Sequence, residues 1–167
     1  DDFVATVEIR RPPNNFFDQA LIGSLCDAFE TCDADPRCRA IVLCAEGKHF
    51  CAGADFGGGG REEPGDLYAE AVKLFATRTP AIACVQGAAI GGGLGLACFA
   101  DFRVAAPAAR FSANFARLGF HHGFGLTVTL PRLVGQQHAL DLLYTGRRID
   151  GTAAVAIGLA DELTDVG

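Results

Sequence analysis

The chain has 167 residues, half of them hydrophobic, and a formal net charge of −6 at pH 7. That length supports one sizeable hydrophobic core and predicts a single domain over residues 1–167. The largest basic clusters are two arginine pairs, which argues against nucleic acid or a membrane surface as a partner. No apolar run reaches the roughly 20 residues of a membrane span, and the first residues do not resemble a signal peptide. We therefore expect a cytoplasmic protein.

The seven cysteines do not form a pattern typical of a metal site or a disulfide framework. Cys26, Cys32, Cys38 and Cys44 are evenly spaced, but no pair has Cys-x-x-Cys spacing and none stands at zinc-finger spacing to a histidine. Free cysteines commonly act as small buried hydrophobes. We predict no metal ion.

Strand and helix patterns alternate in the first half of the chain. Residues 3–9 are rich in β-branched side chains and predict a strand. Asp18 is a candidate N-cap for a helix in which apolar residues recur at helical spacing up to Asp33. The continuous apolar run at 40–45 predicts a buried strand. A glycine-rich polar loop follows, and then a helix that ends near Thr79.

The same alternation continues in the second half. A strand is predicted at 81–85, a helix from Gly92 to Phe99 and a strand from Asp101 to Ala105. Pro131 does not fit one straight helix beyond residue 126, so we predict a helix over 126–134 followed by short helices over 136–144 and 152–157. The alternation indicates an α/β fold with layered helices and strands.

Two glycine-rich turns, each following a predicted strand, carry the strongest functional signal. They lie in residues 47–55 and 88–95. The patterns of a Walker phosphate loop, of a Gly-x-Gly-x-x-Gly dinucleotide loop and of a Gly-x-Ser-x-Gly nucleophile elbow are all missing. Two interpretations remain open: the turns supply two backbone N–H donors to one carbonyl oxygen, as in an oxyanion hole, or their glycines only allow close packing.

The residues of the two turns resemble the signatures of a known family. Phe50-Cys51-Ala52-Gly53-Ala54-Asp55 and Gln86-Gly87-Ala88-Ala89-Ile90-Gly91-Gly92-Gly93 are similar to those of the crotonase, or enoyl-CoA hydratase/isomerase, superfamily. The resemblance implies a crotonase-like spiral of β-β-α units that binds an acyl-CoA thioester, with coenzyme A as part of the substrate and no other cofactor. It also implies a homotrimer or hexamer, formed through a helical tail that follows the region where this chain ends.

The resemblance assigns roles to individual residues. The N–H groups of Ala54 and Gly92 would hold the thioester oxygen. The residues that would contact the substrate are Ala52, Asp55, Phe56, Gly93 and Phe115. Asp55 could instead be a base or a helix-start residue. Lys48 and Arg61 could meet coenzyme A phosphates or lie on a solvated surface.

The acid–base groups of the family's hydratases are missing from the sequence. Their two glutamates correspond to Gly95 and Phe115, neither of which can carry a proton. The ionisable side chains nearby are His121 and His122, and an imidazole can exchange a proton near neutral pH. Either histidine could also be purely structural. We therefore expect an acyl-CoA enzyme whose reaction is open among isomerisation, hydrolysis and C–C cleavage, or a non-catalytic acyl-CoA-binding or assembly subunit. A protease-like relative is disfavoured because no serine stands at a suitable helix start.

Overall fold

The computed structural model describes residues 3–54 and 64–165, with side chains described from residue 67 onward in the second range. Helices and strands alternate along the chain. Their bounds are β1 Val4–Ile9, α1 Gln19–Ala34, β2 Ala40–Ala45, α2 Pro64–Leu74, β3 Ala81–Val85, β4 Ala88–Ile90, α3 Gly92–Phe99, β5 Phe102–Ala105, β6 Arg110–Ser112, a 3-10 helix Asn114–Leu118, α4 Leu126–Thr145, β7 Ile149–Asp150, α5 Gly151–Ala156 and β8 Glu162–Leu163.

The described strands form two sheets. The first is parallel and has the order β1-β2-β3-β5-β8, with Val4 paired to Ala40, and Ile82 to Phe102. The second has the order β4-β6-β7 and pairs Ala89 with Phe111. Because β3 and β4 are nearly consecutive but lie in different sheets, the chain passes from one sheet to the other before it enters α3. This β-β-α passage places the glycine turn between the end of β4 and the start of α3.

The predicted start of α1 is confirmed. The Asp18 side chain accepts a hydrogen bond from the Leu21 backbone N–H at 2.8 Å, which satisfies one of the free donors at the helix N-terminus. The helix buries Leu21, Ile22, Leu25 and Phe29 in the hydrophobic core. The helical spacing of these four residues therefore predicts which face of the helix packs inward.

In the second half of the chain, the predicted division into helical segments on either side of residue 135 is confirmed, but Pro131 is not where the helix breaks. Helical segments lie on both sides of Gly135, which has φ 75° and ψ 163° inside α4. The break therefore falls at a glycine in a non-helical conformation, and Pro131 lies within the first segment. The sequence did not predict β4, β6, β7 or the 3-10 helix, because elements of two to five residues have too few positions to show a period.

A buried arginine joins β5 to the end of the described chain. Arg103 is 1% exposed, and its guanidinium donates to the carbonyls of Leu159 and Ala100, both at 2.7 Å. It also contacts the Asp161 carboxylate at 3.1 Å. These partners compensate for the cost of burying the charge. None of the described helices is long and apolar enough to cross a lipid bilayer.

Candidate active site

The two glycine turns lie side by side. The Cys51 N–H donates to the Ala88 carbonyl at 2.8 Å, and the Ile90 N–H donates to the Cys51 carbonyl at 3.0 Å. Cys51 and Ala89 thus form a parallel bridge. The backbone that follows β2 runs alongside β4, and each strand enters its glycine turn at the same place in the fold.

Glycine is required where the two turns touch. A Cβ on Gly93 would overlap the Cys51 carbonyl oxygen, and a Cβ on Gly53 would lie 3.1 Å from the Ile90 carbonyl oxygen. Gly53 also has φ +103°, a conformation that other residues rarely adopt. Close packing therefore accounts for these two glycines. Close packing does not explain what the backbone amides of the neighbouring residues, Ala54 and Gly92, bind.

Ala54 and Gly92 both lie next to Phe17. Phe17 and Ala54 form a parallel bridge, in which the Phe17 N–H donates to the Gly53 carbonyl at 3.0 Å. A Cβ on Gly92 would overlap the Phe17 ring. Gly92 is the first residue of α3, where an N–H has no acceptor within the helix. Within residues 3–54 and 64–165, neither N–H has a hydrogen-bond acceptor.

His121 and His122 form a stacked pair in the loop that follows the 3-10 helix. Their ring centroids are 4.4 Å apart, with 35° between the ring planes. The His121 Nδ1 lies 2.9 Å from the His122 carbonyl oxygen. Because a carbonyl oxygen only accepts, this bond puts the proton on Nδ1 and leaves the Nε2 of neutral His121 as a free base.

The environment of His122 differs from that of His121. His121 is exposed, whereas His122 is half-buried and its Nδ1 has no hydrogen-bond partner in the described part of the chain. Burial lowers the pKa of His122, and the nearby charge of His121 lowers it further. The lowered pKa favours the neutral form of His122, which can accept a proton.

The sequence and the fold match known proteins along nearly the whole chain. A family model described as enoyl-CoA hydratase/isomerase matches residues 1–165. The chain belongs to the enoyl-CoA hydratase/isomerase family. The resemblance to the crotonase superfamily is thereby confirmed.

Three relatives show how close the match is. A probable enoyl-CoA hydratase of Mycobacterium tuberculosis is 39% identical over 99% of this chain and 68% of its own length. One of Bacillus subtilis is 36% identical over 95% of this chain and 65% of its own length. The crystal structure of enoyl-CoA hydratase subunit I from Geobacillus kaustophilus superposes with a TM-score of 0.91 at 32% identity, over 99% of this chain and 66% of that one. These values confirm the expected crotonase-like α/β fold. The chain spans about two thirds of the length of these relatives.

One position assigned to a hydratase glutamate has no room for a side chain in this family member. Gly95 is buried in α3, and a Cβ there would lie 2.5 Å from the Phe124 Cβ and 2.8 Å from the Phe124 carbonyl oxygen. Phe124 is itself buried, with φ +53°, and its ring packs edge-on against Phe17 at 5.7 Å. Because Phe124 follows His122 by two residues, these contacts hold the histidine loop beside the first turn of α3.

The other assigned residues of this crotonase-fold chain lie in different surroundings. Phe115 is half-buried in the 3-10 helix, and its ring carbons come within 3.9 Å of a Cβ built on Gly91, the N-cap of α3. Ala52 is half-buried, and its N–H donates to the Asn14 carbonyl at 3.0 Å. Lys48 is exposed. Asp55, Phe56 and Arg61 lie outside the described residues.

Sequence reasoning missed two residues that organise the first turn. Asn15 is fully buried and donates through Nδ2 to the carbonyls of Glu46 and His49. His49 accepts the Ala88 N–H on its Nδ1 at 3.2 Å. The only available signal was the Pro-Pro-Asn-Asn turn, because asparagine tolerates the left-handed conformation, and Asn15 has φ +50°.

Proposed function

We propose that the protein is an acyl-CoA enzyme that binds the thioester oxygen with the N–H groups of Ala54 and Gly92. One observation carries the proposal: two amides in neighbouring turns, both beside Phe17, have no acceptor within the described chain. Family membership supports acyl-CoA as the substrate class. Two fixed donors stabilise the negative charge that develops on the oxygen when an enolate or a tetrahedral adduct forms. Each such donor contributes about 3–4 kcal/mol in other enzymes.

His121 and His122 are the proposed acid–base groups. A neutral imidazole would remove a proton from the carbon next to the thioester carbonyl, and the resulting electron pair would move onto the oxygen held by the two amides. The Nε2 of His121 and the Nδ1 of His122, which is buried and has no hydrogen-bond partner among the described residues, are the nitrogen atoms proposed for this step. The imidazolium could then return the proton to another carbon, which would complete an isomerisation. Hydrolysis or C–C cleavage would use the same pair of backbone amides and the same pair of histidines.

Hydration in the manner of the family's hydratases is disfavoured. That chemistry places a water molecule with two carboxylates, and Gly95 and Phe115 supply none.

Substrate contacts are proposed for Ala52, Asp55, Phe56, Gly93 and Phe115. A trimeric or hexameric assembly remains an expectation from the resemblance, and a cytoplasmic location remains an expectation from the sequence pattern.

A panel of acyl-CoA thioesters tests the proposal, with binding measured by calorimetry and products identified by mass. Ala54→Pro removes one N–H donor, whereas the control Ala54→Ser keeps it. We expect turnover to fall by about 100-fold or more for Ala54→Pro and to change little for Ala54→Ser. Equal turnover of the two variants, with their folding verified by circular dichroism, would refute the role of this amide. Crotonyl-CoA hydration at a normal hydratase rate would show that the assignment of the glutamate positions is wrong.

A non-catalytic acyl-CoA-binding subunit is the second candidate. The absence of carboxylates at positions 95 and 115 favours it. It predicts that the double variant His121→Ala/His122→Ala keeps both its thioester affinity and its behaviour in every turnover assay. A loss of turnover at unchanged affinity would exclude this candidate.

A further inference from the structure

Asn15 is a fully buried polar residue whose side-chain amide uses both its donor and its acceptor atoms. Its side chain is 0% exposed, and its backbone has φ +50°. The Nδ2 group donates to the Glu46 carbonyl at 2.8 Å and to the His49 carbonyl at 2.6 Å. The Oδ1 atom accepts the Arg11 N–H at 2.9 Å. The asparagine amide thus ties the loop of residues 11–17 to the segment that leads into the first glycine turn.

The same loop makes backbone bonds on both sides of Asn15 to the residues just before Ala54. The Asn14 carbonyl accepts the Ala52 N–H at 3.0 Å, and the Phe17 N–H donates to the Gly53 carbonyl at 3.0 Å. The loop therefore lies against the first turn as a short strand would. Asn15 is the residue whose side chain anchors that strand.

The bond from Phe17 to Gly53 determines where the Ala54 N–H points. The Gly53 carbonyl and the Ala54 N–H belong to one planar peptide unit, in which the two groups point in opposite directions. When the Phe17 N–H holds the carbonyl, the Ala54 N–H must point away from Phe17's backbone N–H. Any shift of the loop that rotates this peptide plane would also rotate the N–H.

We propose that Asn15 is a positioning residue that orients the Ala54 N–H toward the thioester oxygen. Asn15 acts through the loop, since it fixes residues 14–17 against residues 46–53, and it does not contact the substrate. The inference rests on the proposed function. It predicts that loss of the Asn15 amide weakens polarisation of a bound thioester more than it weakens binding.

The probe is sorboyl-CoA, a conjugated dienoyl thioester whose absorption moves to longer wavelength when its carbonyl oxygen is polarised. The first variant is Asn15→Asp, which keeps the shape and the acceptor but loses both N–H donors. The second is Asn15→Gly, which retains the left-handed backbone conformation and avoids placing a carboxylate against two carbonyl oxygens. The second variant covers the case in which the first does not fold.

Gln86 provides a matched control. Its Nε2 donates to the carbonyls of Ala45 at 2.8 Å and Gly47 at 3.1 Å. Gln86→Ala thus removes two amide donors to the same segment without touching the bond between Phe17 and Gly53. Calorimetry gives the affinity of each variant, and spectra at saturation give the wavelength shift.

For the wild type and Gln86→Ala we expect a clear red shift of the bound probe. For the Asn15 variants we expect less than half of that shift, with the dissociation constant within about tenfold of wild type. A full shift in a folded Asn15 variant would refute the positioning role and leave the proposed function standing. A wild type that binds the probe without any shift would refute both.

Discussion

The Cα of Gly95 lies directly against the side chain of Phe124. A Cβ at position 95 would be 2.5 Å from the Phe124 Cβ and 2.9 Å from its Cδ1. Phe124 cannot easily withdraw, because it is buried and packs on Phe17. The buried position of Phe124 therefore requires a glycine at position 95 of α3. A glutamate at position 95 would require residues 123–125 to move.

Gly95→Ala should destabilise the protein by about 1–3 kcal/mol, because the added methyl group overlaps a buried neighbour. Urea unfolding followed by circular dichroism measures the change. Gly23→Ala is the control, since Gly23 lies in α1 with no atom within 4 Å of a built Cβ. That variant should gain about 0.5–1 kcal/mol from helix propensity. If Gly95→Ala were as stable as Gly23→Ala, the contact with Phe124 would not be tight.

Arg103→Met should reduce the free energy of unfolding by about 3–5 kcal/mol, because it leaves the Leu159 and Ala100 carbonyls without their side-chain donor and leaves the Asp161 carboxylate with only the backbone N–H of residue 103. Arg103→Lys should recover only part of the lost free energy, since one ammonium group cannot reach all the acceptors that the separate nitrogen atoms of the guanidinium reach. Urea titration of both variants and of Asp161→Asn, which keeps an oxygen acceptor, checks the ranking. A stable Arg103→Met protein would argue that the guanidinium is replaceable by apolar packing.

His122 should make the folded state less stable as the pH falls. Its pKa is lowered by folding, so the unfolded chain binds more protons than the folded one between the folded pKa and about 6.5. The stabilisation is complete above about pH 6.5 and is lost as the pH falls through that window. Urea unfolding at about pH 7 and about pH 5 should show a smaller loss for His122→Gln than for wild type.

His138→Gln serves as the control for the pH experiment. His138 is exposed on α4, so its replacement removes an imidazole without removing a buried nitrogen. This variant should follow the wild-type pH profile. An identical profile for His122→Gln would mean that burial of His122 does not contribute to acid sensitivity.

Cys51 should resist alkylation in the folded protein. Its side chain is fully buried, and burial raises its pKa to about 11, so almost no thiolate is present at neutral pH. Cys44 is half-buried on β2 and is the comparison. Labelling with iodoacetamide followed by peptide mass analysis should modify Cys44 well before Cys51. Equal rates would show that the first turn opens frequently.

The sequence predicted the elements with a clear period or a clear boundary. The N-cap at Asp18 and the helix from Gly92 to Phe99 are confirmed at those residues. The strand predicted from Asp101 begins one residue later, at Phe102. Helix caps and glycine turns are local signals, so a single sequence reveals them.

Contacts between distant segments could not be predicted in the same way. The close contact of Gly95 with Phe124 and the anchoring of Asn15 to Glu46 and His49 depend on how separate segments meet in space. No spacing within either loop encodes these contacts. The positions of Ala54 and Gly92 as site residues came from the family resemblance, and their role remains a proposal.

The parallel sheet has a consequence for how the protein is synthesised and folds. Val4 pairs with Ala40, Ile41 with Ala81, and Val104 with Glu162, so every described ladder of this sheet joins segments far apart in sequence. Such topologies fold slowly, because each pairing must first close a long loop. During synthesis on a ribosome, the Arg103 guanidinium could form its hydrogen bonds to Leu159 and Asp161 only after those residues had emerged. Until then the edge of β5 that pairs with β8 would stay open, and open strand edges favour aggregation.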